Sequence, residues 1–526
     1  MLHADVIVPI PELLARHSAE RPDTIAFRDQ FNAVTYAELD VRTRRLAGHL
    51  LESGLASGDR LLMYLDNCVE VAEGYLVAPR SGLITVCANP GGTASEFEHI
   101  LEDSGARAIL TDHAHVEAVL DLIGRTSIEE SAVELVIVTG LPSQPLLNTS
   151  SVRMVAYADL VSTESSVAAP DHLGLDSWCW MLYTSGTTGR PKGVHLTQRG
   201  CLWVVAACWS PIAGLSSSDV VLSALPLFHS YALVLCVVGV AATGATEHLL
   251  PRFSPTQVLR MLADDEITVL PGVPTMFRYL LDTATEPRLD APALRLCVSA
   301  GALMATALND AFEEFAQVPL LDGYGITETS TMVTMNSPEG SRVAGSCGLP
   351  LPGLTVRLID PASGTDAAAG REGELWVQGP NVMQGYHNLV AATDDVLTNG
   401  WYHTGDLARR DPNGFIRITG RIKELIIRGG ENIYPAEIED VLIEHDGIAD
   451  AAVVAAPHDA LGEVPIAFIV SAHGHVDIES VRTHCAILLS HFKIPDDFII
   501  VPEIPRTGSG KIQRHRLHRP SAAAVE

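Results

Sequence analysis

The chain has 526 residues, 47% hydrophobic and 19% charged, so it can bury large cores and is not a disordered polymer. At ~150 residues per domain, the length predicts about three or four domain-sized units. The formal net charge is −29 and no basic stripe or tail is present, which excludes wrapping by nucleic acid.

The first seventeen residues, MLHADVIVPIPELLARH, lack a basic region followed by an apolar one, so no signal peptide is expected. Thr35-Tyr36-Ala37-Glu38 is a capping box, and Leu39, Leu46 and Leu50 then mark a helix to about Leu51. Arg60 to Leu65 and Ala108 to Thr111 read as buried strands. This alternation through residue 180 predicts parallel sheets with helical crossovers, and residues 180–350 repeat it around Gly-rich turns. Val220 to Thr246 holds no Asp, Glu, Lys or Arg, but Pro226, His229, Ser230 and Gly239 interrupt it. It predicts a buried strand and helix rather than a membrane span.

From about 350 to 420 the texture changes to short alternating runs, Leu354 to Ile359, Gly373 to Val377 and Phe415 to Ile418. These predict a small antiparallel barrel or sheet. After Gly420, Lys423 to Arg428 reads as a strand. Pro435 starts a helix with Ile438, Val441 and Leu442 on one face, and strands follow at 451–454 and 466–470. The expected organisation is a large domain over 1–420 and a compact α+β domain over 421–526. Nine scattered cysteines without a CxxC pair predict a reducing, cytoplasmic compartment and neither disulfides nor zinc.

Lysine is rare. Only Lys192, Lys423, Lys493 and Lys511 occur, against 31 Arg. In such a chain each survivor is a candidate for work needing a compact ammonium. Lys192 ends the most informative segment, Tyr183-Thr-Ser-Gly-Thr-Thr-Gly-Arg-Pro-Lys-Gly193, which follows an apolar strand from Trp178 to Leu182. Thr184, Ser185, Thr187 and Thr188, with Gly186 and Gly189, can present hydroxyls and amides to a polyphosphate. It is not a Walker A loop, because Pro precedes the Lys and Gly follows it.

Four further segments follow in order: Asp322-Gly-Tyr-Gly-Ile-Thr-Glu328, Tyr402-His-Thr-Gly-Asp406, Gly420 to Pro435, and Pro505-Arg-Thr-Gly-Ser-Gly-Lys511. Tyr324 offers a ring face, Thr327 a hydroxyl and Glu328 a hard oxygen ligand for Mg²⁺. Asp406 can accept from two sugar hydroxyls, and Arg421 can reach the same sugar or a phosphate. Lys511, in a Gly-rich loop, can bring an ammonium to a developing pentavalent phosphate.

Together these five segments resemble the adenylate-forming superfamily of acyl-CoA and aryl-CoA synthetases, nonribosomal adenylation domains and luciferase, over essentially the whole chain. The resemblance implies an α/β fold of stacked sheets with a small β-barrel part, and a small mobile α+β C-terminal domain. It implies ATP, Mg²⁺ and CoA as cofactors. It places ATP on Thr184, Ser185, Gly186, Thr187, Thr188, Gly189 and Lys192, on Gly301 and Ala302 of Ser299-Ala-Gly-Ala302, and on Asp322, Gly323, Tyr324 and Thr327. Asp406, Arg421 and Lys511 complete that set, with Thr184 and Glu328 on the metal. Catalysis falls to Lys511, Thr327, Glu328, His229 and the hinge residue Lys423. Pro226-Leu-Phe-His229 resembles the gate to the acyl pocket, for which Tyr231, Val234, Gly301, Ala302, Gly325, Met304 and Met332 are lining candidates. Gly429 and Gly430 would let a pantetheine arm pass.

The expected activity is ATP-dependent activation of a medium-sized aliphatic or aromatic carboxylic acid to an acyl-adenylate, then transfer to CoA, by a monomer or homodimer. Transfer to an amine or a carrier protein, and luciferase-like oxidation, stay open. So does a non-catalytic nucleotide-binding regulator, although every catalytic position is filled.

Overall fold

The computed structural model describes residues 2–125, 132–140, 152–171, 173–184, 190–429, 431–506 and 512–518. Two large sheets form its body. One has seven strands, in the order Arg153–Ala156, Leu135–Thr139, Ala108–Asp112, Arg60–Tyr64, Ile84–Cys87, Trp178–Thr184 and Lys192–Thr197. All its pairs are parallel except the last, where Thr184 lies opposite Lys192. The predicted helix forms at Tyr36–Glu52, and both halves of its capping box are made.

The second sheet has nine strands, in the order Leu349–Pro350, Thr331–Met335, Leu320–Ile326, Leu296–Ser299, Val269–Gly272, Val220–Ser223, Thr246–Leu249, Ile25–Arg28 and Ala33–Thr35. Its centre is parallel and its two edges are antiparallel. Helix Val69–Ser81 is buried from end to end. There Tyr75 accepts a bond on its carbonyl from Trp180 Nε1 at 3.0 Å and donates its hydroxyl to the Leu227 carbonyl at 2.7 Å. The core between the sheets therefore joins Leu61 and Met63 to Val221, Leu222 and Val298. The uncharged segment is a buried strand, Val220–Ser223, and a buried helical stretch. Within that stretch Leu233–Gly239 is wound as a π-helix. No helix among the described residues is long and apolar enough to cross a membrane.

Residues 355–421 form a five-stranded antiparallel sheet of Thr355–Ile359, Gly373–Gln378, Trp401–Arg410, Leu397–Thr398 and Ile416–Arg421. Arg421 closes its last strand, opposite Asp406. A second five-stranded sheet begins at Ile426–Arg428 and contains the long hairpin Ile448–His458 with Gly462–Ser471. Helices Pro435–Ile443 and Ile478–Leu488 cover one face through Ile438, Leu442, Val481 and Cys485. The strand expected from Lys423 is shorter: Ile422–Glu424 is a 3-10 turn. The chain turns from one sheet to the other there, so those residues cannot pair in either.

Candidate active site

A cavity of about 520 Å³ opens at the carboxyl ends of the parallel strands of the nine-stranded sheet. Ala224, Pro251, Val273 and Ala300, which line it, each lie just past the end of such a strand. This is where open α/β sheets hold ligands, because strand ends and crossovers leave a crevice there. Gly301 sits at its wall with φ of +88°, a conformation that favours glycine.

Strand Leu320–Ile326 leaves the parallel sheet and doubles back on Thr331–Met335. The approach is so close that a Cβ on Gly325 would lie 1.8 Å from the Thr331 carbonyl oxygen. The turn between them carries Thr327 and Glu328. Ser330 and Thr331 have φ of +48° and +89°, so the turn is strained. It is braced from outside. Asn381 Nδ2 donates to the carbonyls of Thr329 at 2.9 Å and Met332 at 3.0 Å, and Ser330 Oγ donates to the Asn381 carbonyl at 2.9 Å.

Two carboxylates face this region. Asp406 is 3% exposed. Its Oδ1 accepts from Arg421 Nε at 2.8 Å and its Oδ2 accepts a short bond from the Tyr324 hydroxyl. Burial, and then Asp406, push the Tyr324 phenol well up, and the Asp406 charge raises the Arg421 guanidinium. Glu328 is half-buried. Its Oε1 accepts from the Tyr386 hydroxyl at 2.9 Å and its carbonyl accepts from Met383 N at 2.8 Å. Its Oε2 takes no hydrogen bond from any described residue.

The cavity wall brings together His229, Tyr231, Gly301, Gly325, Thr327 and Met332. The Ser230 hydroxyl lies 3.3 Å from that of Thr327, and Tyr231 donates to the Val298 carbonyl at 3.0 Å. Val234, Ala302 and Met304 do not line it. Val234 is fully buried in the π-helical turn, and Met304 is packed in the core. The wall instead uses Phe228, Met276 and Asn67, and Arg506 from the C-terminal part. Phe228 and Arg506 lie inside motifs already singled out, whereas no spacing in the sequence marks Met276 or Asn67.

Lys192 and Thr184 lie opposite each other in the last hairpin of the seven-stranded sheet. The Lys192 ammonium stands 4.9 Å from the centre of the Tyr386 ring. Asp322 and Gly323 lie in the strand leading to the strained turn, and the Asp322 carbonyl accepts from Asn336 N at 3.1 Å. Lys423 is exposed in the 3-10 turn between sheets. Gly429 has φ of +59° and donates its N–H to the Leu461 carbonyl at 2.7 Å. Ser185, Gly186, Thr187, Thr188, Gly189, Gly430 and Lys511 lie outside the described residues. The flanks of Lys511 are placed, since Arg506 and Ile512 form a β-bridge. Tyr386 and Asn381 went unread in the sequence. The only signal was the turn-rich stretch Gly379 to Asn388, in which Tyr386 and three amides, Asn381, Gln384 and Asn388, stand near Gly379 and Gly385.

The residues fit a magnesium nucleotide. Glu328 Oε2 and the Thr184 hydroxyl are hard oxygen donors. Tyr324, Asp406 and Arg421 form a sugar-sized polar cluster, and glycines clear the wall between. The chain belongs to the AMP-binding enzyme family. That family's model matches residues 14–387, and the AMP-binding enzyme C-terminal domain matches 437–511. The chain is 36% identical to a naringenin synthase of Pestalotiopsis fici over 96% of its own length, but it spans only 18% of that protein. It is 33% identical to a long-chain-fatty-acid–CoA ligase of Yersinia pestis, covering 96% of this chain and 93% of that one. The solved o-succinylbenzoate CoA synthetase of Bacillus subtilis, in complex with its acyl-adenylate intermediate, matches with a TM-score of 0.84 at 30% identity. It covers 97% of this chain and 98% of that one. The same synthetase has been solved with ATP and a magnesium ion.

Proposed function

We propose that the protein joins a carboxylic acid to the thiol of CoA by way of an acyl-adenylate. One observation carries this reading: the strand and turn that bear Tyr324 and Glu328 also supply Gly325 and Thr327 to the cavity wall. Gly301, Gly325 and Thr327 line a pocket whose other side is Phe228, Tyr231, Met276 and Met332. An acid held there would meet the α-phosphate at Thr327. The volume, about 520 Å³, suits a medium-sized aliphatic or aromatic acid.

In the first step a carboxylate oxygen attacks the α-phosphorus of ATP, the bond to the bridging oxygen breaks, and pyrophosphate leaves. Asp406 accepts from the ribose hydroxyls, and Arg421 fixes its orientation. Tyr324 lies along the adenine. Thr327 donates to the α-phosphate, and Lys511 neutralises charge as the displacement develops. Glu328 and Thr184 would hold magnesium, which screens the triphosphate when bound. In the second step the CoA thiolate attacks the acyl carbon, and AMP leaves with the anhydride oxygen.

We assign the two steps to two settings of a C-terminal domain spanning 421–526, turning about Lys423. Arg506 on the cavity wall supports the first setting. The turn at Gly429 and Gly430 is the candidate pantetheine passage in the second. All nine cysteines are free, which supports a reducing, cytoplasmic setting. One observation favours a second acceptor, the pantetheine of a carrier protein: in the naringenin synthase the matched region is 18% of a longer chain.

Mass spectrometry of products from ATP, Mg²⁺ and a panel of acids, each with CoA or a simple amine, tests the reading. Acyl-CoA together with AMP is expected. An amide without thioester would overturn CoA as acceptor. No pyrophosphate release with any acid would return the protein to a nucleotide-binding regulator.

A further inference from the structure

We propose that Tyr386 is a positioning residue that ties the metal-binding carboxylate to the strand bearing Lys192, so that the two sheets present one triphosphate site. The inference rests on the reading of Glu328 as a magnesium ligand.

Glu328 and Lys192 are carried by different sheets. Glu328 sits on a turn strained at Ser330 and Thr331, and this turn hangs from the nine-stranded sheet. Lys192 belongs to the other large sheet. Among the described residues, strand pairing does not link the two sheets. Beyond their shared core, their relative placement at the site depends on the segment that touches both.

Residues 381–387 form that bridge. On one side Asn381 clamps the turn backbone, Met383 N holds the Glu328 carbonyl, and the Tyr386 hydroxyl holds Glu328 Oε1. On the other side Tyr386 bridges Val194 in antiparallel fashion, and His387 N donates to the Gly193 carbonyl at 2.7 Å. His195 N donates to the Gly385 carbonyl at 3.3 Å, and the Lys192 ammonium lies against the Tyr386 ring. Tyr386 thus touches both charged groups with different atoms. Its hydroxyl orients the carboxylate, leaving Oε2 for a cation. Its ring face attracts the ammonium. Groups that orient a metal ligand typically change metal affinity by ~10–100-fold when removed.

Because the ring and the hydroxyl act separately, two substitutions separate them. The full-length protein is compared with Tyr386→Phe, Tyr386→Leu and Glu328→Gln. ATP binding is measured by calorimetry across a magnesium titration and in EDTA, alongside AMP binding and the melting curve. Tyr386→Phe should raise the magnesium needed for half-maximal ATP binding on the order of tenfold, leaving AMP binding and EDTA-measured ATP binding unchanged. Tyr386→Leu should also weaken ATP binding in EDTA, because Lys192 loses its platform. If Glu328→Gln leaves the magnesium dependence unchanged, the reading of Glu328 itself fails. If Glu328→Gln shifts it and Tyr386→Phe does not, the Tyr386 proposal alone is overturned. A lower melting temperature with unchanged magnesium dependence would likewise overturn it, by reducing Tyr386 to a structural role.

Discussion

The two ends of the site hold the same chemical group in opposite ways. At the proposed sugar end, Asp406 is almost fully buried, and Tyr324 and Arg421 engage both of its oxygens. At the proposed metal end, Glu328 is half-buried and Tyr386 engages one oxygen, while the other takes no hydrogen bond from a described residue. A saturated carboxylate fixes direction. Its remaining lone pairs can accept from a neutral hydroxyl, and its partners already balance its charge. A half-engaged carboxylate keeps its charge for a cation. Surroundings thus separate the jobs of two acidic side chains that sequence alone presents as similar.

Predictions follow from breaking each end. The largest effect is expected at Lys511. Lys511→Ala should slow adenylate formation about 10³-fold, a loss on the scale of removing an electrostatic stabiliser. It should spare thioester formation from supplied acyl-adenylate and leave binding at both ends intact. Equal loss of both half-reactions in single-turnover assays would count against two settings of the C-terminal part. Glu328→Gln should lower adenylation about 10²-fold and shift its magnesium dependence.

Asp406→Asn should weaken ATP and AMP by the same factor, about tenfold, with or without magnesium. A magnesium-dependent loss there would erase the distinction between the ends. Tyr324→Phe keeps the ring and deletes one donor to Asp406, so KM for ATP should rise about fivefold, the scale of one hydrogen bond. The smallest effect is on stability. Burial, and then His387, hold His195 down to about 4 from 6.5, and burial holds His248 likewise to about 4. Between these values the unfolded chain takes up protons that the folded one refuses. The stability these residues contribute is complete above pH 6.5 and lost as pH falls through 4. The melting temperature should therefore drop over that window, and His195→Asn should flatten the drop.

Much of the fold is legible locally. The capping box at Thr35 and Glu38, the strand at Arg60 and the helix after Pro435 each depend on neighbours within a turn or two, and each forms where the pattern puts it. The strand expected from Lys423 begins only at Ile426, for the opposite reason. Ile422–Glu424 serves a change of direction between two sheets, and local pattern does not register direction. Val234 fails as a lining residue because an all-apolar helix gives no sign of which face meets a cavity, and Met304 lies in the loop before helix Thr306–Ala316, packed in the core. The Leu233–Gly239 segment is buried all round.

The sequence by itself determined the family and the class of chemistry. Clustered hydroxyls, carboxylates and rare lysines occur as short motifs in a fixed order, and such chemistry is carried by residue type. Only the tertiary structure decided how those motifs are held. Tyr386 lies 58 residues from Glu328 and in another element from Lys192. Asn67 reaches the Leu225 carbonyl across 158 residues. Such contacts arise when two sheets pack and a bridging segment settles between them. Packing of distant surfaces depends on the whole core, and no window of sequence contains it.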